Sequence, residues 1–242
     1  MRVIIYHALG PLPSYIASIV PISYHKVHCM ERINLSHQNL EECVQKAASA
    51  LRAGGVILYP TDTLYGLGAD ALSDKAVGTI YAIKGRDEKK PVHCIVADLS
   101  MAEEYAYLND EAMELAEAFF PGPLTLILKK REEFKSGIAH DIQSIGVRVP
   151  DNEFSLTLAQ EYGKPITATS ANVSGEKPAC SVGGVLSQLG SAASKIDIIV
   201  DAGKLPANKP STVVDVSSTR PVILREGAIL VTDIWDTLRA EY

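Results

Sequence analysis

The sequence has no long uninterrupted run of apolar residues. In residues 1–29 the apolar region is interrupted by Pro11, Pro13 and Pro21, so no stretch reaches the roughly 20 apolar residues that span a bilayer. This region also lacks the small-residue cleavage site of a signal peptide. We therefore expect no membrane association and a cytoplasmic location. Residues 1–29 are interpreted as an N-terminal extension, disordered or upstream of the true start, and residues 30–242 as the folded domain.

Cysteine is scarce, and a basic surplus is absent. Cys29, Cys43, Cys94 and Cys180 fit neither a disulfide framework nor a zinc-binding pattern, so we interpret them as reduced packing residues. The 23 lysines and arginines stand against 29 acidic residues, which gives a formal net charge of −6. This balance argues against a protein that binds nucleic acid with its whole surface, although a local basic cleft is compatible with it.

Common catalytic and nucleotide-binding motifs are also missing. The chain has no Gly-x-x-x-x-Gly-Lys-Ser/Thr phosphate-binding loop, no Gly-x-Gly-x-x-Gly after a predicted strand and no Gly-x-Ser-x-Gly nucleophile motif. No histidine lies in an obvious triad context. The function must therefore be sought in polar residues that adjoin predicted elements.

The pattern that is present alternates helices with short strands. Apolar spacing predicts helices near residues 40–51, 74–84, 102–108, 111–120, 154–162 and 234–240. Apolar and β-branched runs predict strands near residues 56–59, 92–97, 124–128, 144–149, 166–169, 196–200, 212–216 and 222–224. This interleaving favours a single three-layer α/β domain.

Two segments have the character of ligand-binding elements. Residues 59–68 follow a predicted strand and combine hydroxyl groups, a carboxylate and glycines, so we interpret them as a ligand-binding loop; a strained turn with capping hydroxyls is the alternative. In residues 144–149, Ser144, Gly146 and Arg148 alternate with apolar residues, which predicts a strand whose second face lines a polar cleft or meets solvent.

Several cations adjoin the predicted ends of elements. Together with loop hydroxyls and Asn172 they suit a polyphosphate or a carboxylate, which favours a cleft for an anionic small molecule over unrelated surface ion pairs. These cations are Lys84, Arg86, Lys90, Arg148 and Arg225.

Six short motifs occur in order between about residues 40 and 227. They are Tyr59-Pro60-Thr61-Asp62-Thr63-Leu64-Tyr65-Gly66-Leu67, Lys84-Gly85-Arg86, Pro121-Gly122-Pro123-Leu124-Thr125, Gly146-Val147-Arg148, Ser170-Ala171-Asn172 and Ser211-Thr212-Val213-Val214-Asp215. Together they resemble the YrdC family, the threonylcarbamoyl-AMP synthases, in its short, single-domain form. The combination of Lys-x-Arg with Ser-x-Asn is specific to this family. The resemblance implies a YrdC-like α/β fold, with a twisted mixed sheet flanked by helices and a positively charged cleft.

The resemblance also implies a reaction and its site. L-threonine, bicarbonate and ATP would form threonylcarbamoyl-adenylate and diphosphate, the first step of a tRNA modification that a separate transferase complex completes. ATP would be a substrate bound with Mg²⁺, without metal ligands from protein side chains and without a tightly bound cofactor. By the same resemblance, L-threonine contacts Thr63, Arg148, the Ala168 backbone and Ser211. ATP contacts Lys84, Arg86, Lys90, Ser144, Ser170, Asn172 and Arg225, among which Lys84, Arg86, Ser170 and Asn172 form the catalytic set.

Two positions depart from the family pattern. Asp87 follows Lys-x-Arg where relatives often have proline, which puts the role of Lys90 in question. Ile95 stands where some longer relatives have a threonine-contacting histidine, and we interpret the nearby His93 as a packing or surface residue. Asp62 is interpreted as a loop carboxylate bonded to nearby amides, with a general base as the alternative.

The glycines of the first motif have an interpretation of their own. Gly66 and Gly68 would give the 59–68 loop the freedom to close over threonine, with Thr63 as its contact residue.

Two other functions are compatible with the sequence. The same basic cleft would bind double-stranded RNA without chemistry, with a binding strength that falls steeply with salt. The chain would otherwise belong to a family branch without synthase activity, or to one that transfers carbamoyl groups during hydrogenase maturation, a role that usually comes with additional domains. The intact Lys-x-Arg and Ser-x-Asn motifs favour an active synthase.

Overall fold

The structure, a computed structural model, describes residues 30–87 and 90–239. The predicted N-terminal extension therefore lies outside the described residues, and the proposed boundary at residue 30 stays a prediction.

The strands of the described residues form one mixed ten-stranded sheet in the order β1-β8-β2-β3-β7-β4-β6-β5-β9-β10. Strand β8 runs parallel to β1 and β2, β4 is parallel to β6, and β5 is parallel to β9, whereas the other neighbours are antiparallel. The bounds are β1 (Glu31–Asn34), β2 (Ile57–Pro60), β3 (Tyr65–Gly68), β4 (His93–Ile95), β5 (Leu124–Lys129), β6 (Ser144–Arg148), β7 (Ile166–Ser170), β8 (Ile198–Asp201), β9 (Thr212–Asp215) and β10 (Val222–Arg225).

Helices cover both faces of this sheet. Their bounds are α1 (Leu40–Arg52), α2 (Asp74–Lys84), α3 (Leu99–Tyr105), α4 (Asp110–Phe119), α5 (Glu153–Tyr162), α6 (Val182–Leu189) and α7 (Val231–Arg239). The side chains of Ser73, Asp98, Asn109, Asn152 and Ser181 cap five of them by accepting a backbone N–H of the first turn.

Two hydrophobic cores lie on opposite sides of the sheet. Helices α1 and α5 pack on one face, against side chains that include Ile57, Tyr59 and Ile166. The alternate residues of the same strands, such as Leu58 and Leu67, point into the larger core with α2, α3, α4, α6 and α7. The predicted three-layer α/β class, with helices on both sides of a mixed sheet, is confirmed.

The segment 59–68 is a β-hairpin, so its interpretation as a closing loop is wrong. Strands β2 and β3 pair antiparallel from Ile57 opposite Gly68 to Pro60 opposite Tyr65, and only residues 61–64 form the turn. A Cβ atom at Gly68 would lie 2.9 Å from both Ile57 Cγ1 and Tyr59 Cε1. The glycines of β3 therefore make room for the buried Tyr59 ring and do not serve as hinges.

Candidate active site

A polar cavity opens on the sheet face that carries α1 and α5. Its floor follows the strand register, because Ile95 on β4 pairs with Ile166 on β7 and with Arg148 on β6. Beyond β6, Thr125 on β5 pairs with Val213, which pairs with Arg225 on the edge strand β10. Neighbouring strands thus bring residues that are distant in sequence to one surface.

Positive charge dominates the described lining of this cavity. Arg86, Arg148 and Arg225 all line it, and no Asp or Glu is among the described residues that do. Burial, together with the charges of Arg148 and Arg86, lowers the pKa of Arg225. Three guanidinium groups that repel one another form a site that an anion would stabilise.

Arg148 is held by three acceptors. Its Nε donates to the Gly122 carbonyl at 3.0 Å and its Nη1 donates to Thr63 Oγ1 at 3.0 Å. Its Nη2 forms an ion pair with Asp62 Oδ1. The interpretation of Asp62 as a carboxylate bonded to nearby amides is therefore wrong, because the hydrogen bond of this carboxylate is with Arg148 and its buried Oδ2 has no hydrogen-bond partner among residues 30–87 and 90–239.

A second cluster joins Arg225 to the start of β9. The guanidinium donates to the Ser211 carbonyl from Nε at 3.1 Å and from Nη2 at 2.9 Å, and Nη2 also donates to Ser211 Oγ at 3.2 Å. Ser211 Oγ lies 2.9 Å from Thr125 Oγ1. Thr125 lines the cavity and was missed as a site residue. Its signal was a small polar residue inside the otherwise apolar strand 124–128.

The Lys-x-Arg motif places its two cations in different environments. Helix α2 ends at Lys84, and Gly85 then adopts the left-handed conformation (φ +56°) that favours glycine. Arg86 follows in the cavity wall, where its Nε donates to the Lys90 carbonyl at 3.1 Å and its Nη2 to the Pro91 carbonyl at 2.9 Å.

Lys84 lies behind the cavity wall and is 1% exposed. Its Nζ donates to the Ser170 carbonyl, to the Asn172 carbonyl at 3.0 Å and to Asn172 Oδ1 at 3.3 Å. These contacts use all three donors of the ammonium group. Burial, and to a smaller extent the charge of Arg86, lowers the pKa of Lys84 to about 8. Lys84 thus fastens the Ser170–Asn172 segment.

Asn172 serves the same segment. Its Nδ2 donates to the Val173 carbonyl at 2.8 Å and to the Glu176 carbonyl at 2.7 Å, and its Oδ1 accepts from Ser170 Oγ. Ser170 itself lines the cavity. Lys84 and Asn172, the buried residues of the two motifs, therefore shape the cavity wall. Arg86 and Ser170 line the cavity itself.

The predicted site residues divide into two groups. Those that line the cavity are Thr63, Arg86, Arg148, Ala168, Ser170, Ser211 and Arg225. Four others, Lys84, Lys90, Ser144 and Asn172, are not among the lining residues. Lys90 is exposed and contributes its carbonyl to Arg86, and Ser144 lies at the far end of β6 from Arg148. Direct ligand contact by these four side chains therefore stays a prediction.

His93 packs and also lines the cavity. Its ring lies against Gly146, where a Cβ atom would come within 2.5 Å of His93 Cδ2. Burial, followed by the charges of Arg225 and Arg86, lowers the pKa of His93 to about 4. The ring is therefore neutral near pH 7 and adds no charge to the arginine cluster. The interpretation of His93 as a packing residue is confirmed, but its position in the cavity lining was not predicted.

The described residues contain neither a metal-binding cluster nor a helix that could span a membrane. Across residues 30–87 and 90–239, no group of three or more His, Cys, Asp or Glu side chains is placed to hold a metal ion. Cys43, Cys94 and Cys180 are free thiols, and Cys29 lies outside the described part. None of the described helices has both the length and the apolar character of a membrane span.

The fold is thus a mixed β-sheet covered by helices on both faces, with an arginine-lined cavity whose charge suits an anionic small molecule. Residues 49–227 match the Sua5/YciO/YrdC family profile, which is described as "Telomere recombination". The chain belongs to this family.

Relatives with assigned activities share this similarity. A Pyrococcus abyssi threonylcarbamoyl-AMP synthase is 36% identical over 203 residues, which cover 84% of this chain and 59% of the relative. The Mus musculus threonylcarbamoyl-AMP synthase is 36% identical over 183 residues, with 73% and 63% covered. The chain thus spans about three fifths of these two relatives, whereas it covers 90% of a Methanocaldococcus jannaschii relative that is 35% identical.

Solved structures agree with the family assignment. The crystal structure of Pyrococcus abyssi Sua5 complexed with L-threonine matches with a TM-score of 0.78 at 33% identity, over 87% of this chain and 61% of that one. The crystal structure of Escherichia coli YciO matches with a TM-score of 0.73 at 27% identity, over 85% of this chain and 98% of that one.

Proposed function

We propose that this protein is a threonylcarbamoyl-AMP synthase, a nucleotidyltransferase that forms threonylcarbamoyl-adenylate and diphosphate from L-threonine, bicarbonate and ATP. The observation that carries the proposal is the cavity in which Arg86, Arg148 and Arg225 meet the hydroxyl groups of Thr63 and Ser211. The names of the Pyrococcus abyssi and mouse relatives support this reaction. The structure of Pyrococcus abyssi Sua5 complexed with L-threonine supports the amino-acid substrate.

The cavity residues suggest how two substrates share the space. We assign L-threonine to Thr63, Arg148, Ala168 and Ser211, because a guanidinium beside hydroxyl groups suits an amino acid's carboxylate and hydroxyl. We assign the phosphates of ATP to Arg86, Ser170 and Arg225. Mg²⁺ would be held by those phosphates and by water, as is usual for this ion.

The chemistry needs no protein nucleophile. The threonine amine combines with bicarbonate to form a carbamate and water, and a carbamate oxygen then attacks the α-phosphorus of ATP. A bond from this oxygen to phosphorus forms while the bond to the β-phosphate oxygen breaks, so that diphosphate leaves. The protein's part is to align the reactants and to stabilise the negative charge that develops on the leaving group. Both are within reach of a cavity lined by arginines.

The product would feed a tRNA modification completed by a separate transferase complex, and we place the enzyme in the cytoplasm. RNA binding without chemistry is the weaker candidate, because the relatives named above are synthases and the chain's net charge is −6. RNA held through phosphates would dissociate steeply as salt is raised, whereas small-molecule turnover need not follow that dependence.

The decisive experiment measures diphosphate release while ATP, L-threonine and bicarbonate are omitted one at a time. We expect release only when all three are present. ATP hydrolysis that continues without threonine would overturn the proposed function.

A further inference from the structure

Asp62 forms an ion pair with Arg148, one of the three arginines that line the cavity. The Arg148 side chain is 8% exposed and lines the cavity, whereas the Asp62 side chain is 12% exposed and is not among the lining residues. The carboxylate therefore contacts the guanidinium without itself being among the described residues that line the cavity.

This pairing answers a physical need of Arg148. A buried guanidinium without a counter-charge is strongly destabilising, and breaking such a pair costs more than losing a surface ion pair. The described hydrogen bonding of the Asp62 carboxylate is directed at Arg148, because Oδ1 accepts from Nη2 while Oδ2 has no partner. Asp62 thus supplies both charge compensation and orientation.

The orientation extends to Thr63. Nε of Arg148 is fixed by the Gly122 carbonyl and Nη1 donates to Thr63 Oγ1, so the plane of the guanidinium is defined at three points. A guanidinium has five N–H donors. Two of them are not used by these three contacts, and the plane of the guanidinium decides where they point.

We propose that Asp62 is a positioning residue for amino-acid recognition. It holds Arg148, and through Arg148 the Thr63 hydroxyl, in the arrangement that binds the carboxylate and hydroxyl of the amino-acid substrate. This role rests on the proposed synthase function. Because Asp62 contacts Arg148 and is not itself among the described lining residues, it contributes to binding of the amino acid and not to binding of the nucleotide or to the chemical step.

The test compares Asp62→Ala and Asp62→Asn in threonine-dependent diphosphate release. We expect Asp62→Ala to raise the KM for threonine about tenfold, the range for loss of one charge-assisted hydrogen bond. The KM for ATP and kcat should change less than about twofold. Asp62→Asn keeps an acceptor for Nη2, so its KM for threonine should rise by only about threefold.

A double-mutant cycle with Arg148→Gln separates positioning from an independent contact. Because Asp62 acts through Arg148, Asp62→Ala should add little to the loss already caused by Arg148→Gln. Glu161→Gln is the matched control, since it removes the carboxylate of the Arg52–Glu161 ion pair between α1 and α5, and its KM values should stay unchanged.

Three results would overturn the role of Asp62. These are an unchanged KM for threonine in Asp62→Ala, equal increases in the KM values for threonine and ATP, and full additivity with Arg148→Gln. If circular dichroism shows that Asp62→Ala is unfolded, the KM of Asp62→Asn decides, and a value equal to that of the unaltered protein rejects the proposal. If the unaltered protein releases no diphosphate with threonine, the proposed function itself fails, and calorimetric titration of the same variants with threonine then tests Asp62 directly.

Discussion

The two cations of the Lys-x-Arg motif are neighbours in sequence and differ in what they touch. The ammonium group of Lys84 donates its three hydrogen bonds to backbone and amide oxygens of residues 170–172. Arg86, in contrast, lines the cavity. Gly85, in the left-handed conformation, separates the two directions. A sequence shows that both cations are present, but it does not show which of them faces a ligand.

Arg86 is expected to act on the substrates directly. Arg86→Ala should lower kcat/KM for diphosphate release at least about tenfold, because a charge-assisted contact to the leaving phosphates is lost. Its melting temperature should stay within about 2 °C, since Arg86 contacts only loop carbonyls within the described residues. Arg220→Ala, at an exposed position, is the control. Wild-type turnover in Arg86→Ala would contradict the assignment.

Lys84 is expected to act through the protein. Lys84→Met removes the ammonium donor from three oxygens of Ser170 and Asn172 and leaves the two backbone carbonyls among them without it in a buried site, so we expect the melting temperature and kcat/KM to fall together. Lys84→Arg should not rescue either property, because the site is 1% exposed and shaped for a compact ammonium group. A lost ATP affinity at an unchanged melting temperature would instead indicate direct contact with ATP.

Among the elements, those with strong patterns were predicted and those with weak patterns were missed. Strands such as β5 and helices such as α4 carry the apolar periodicities on which sequence analysis depends. Strand β1 is a largely exposed polar edge strand, and β3 has two glycines in four residues. Helix α6 contains a Gly-Gly pair, which lowers the helical propensity of its sequence. In each case tertiary packing decides the conformation.

The same limit explains the missed site residues. His93 and Ile95 face the cavity because successive side chains of β4 point to opposite faces of the sheet. A three-residue strand is too short for this alternation to be recognised in the sequence. Thr125 becomes a site residue only because β9 brings Ser211 beside it. The alternation of Gly146 and Arg148 with Ile145 and Val147, by contrast, was visible and correctly predicted a strand. It left open whether the second face lines a cleft or meets solvent, and Arg148 is the residue of that face that lines the cavity.

The close packing of β2 against β3 gives a prediction about stability. A methyl group at Gly68 would meet Ile57 and Tyr59 at 2.9 Å, so Gly68→Ala should lower the free energy of unfolding by about 1–3 kcal/mol. Gly78→Ala in α2 is the matched control, since nothing lies within 4 Å of its added methyl. Because alanine favours the helix, this control should gain up to about 1 kcal/mol. Chemical denaturation measures both, and equal effects would refute the packing argument.

For the whole molecule, charge is distributed unevenly. The chain carries a net charge of −6, yet three arginines converge on one cavity whose described lining has no acidic residue. The expectation from composition that the protein is not a nucleic-acid coat stays a prediction, while the local basic cleft could be located only once strands distant in sequence were paired.

The boundary of the domain can be tested directly. A variant that begins at Met30 should keep the melting temperature and the diphosphate release of the full chain, because β1 begins at Glu31 and pairs with β8 within the described residues. Loss of folding or of activity in this variant would show that residues 1–29 are part of the functional protein.

The register that places Ile95 beside Arg148 and Thr125 beside Val213 has a kinetic consequence. These pairs join strands that are far apart in sequence. Forming them is slow during folding, because the loss of chain entropy on loop closure comes before the stabilising contacts are made. The cavity therefore assembles only when the whole sheet does. A substrate at 100 times its Kd would add about 2.7 kcal/mol to the folded state. A newly synthesised chain would gain this stabilisation by substrate as soon as its cavity has formed.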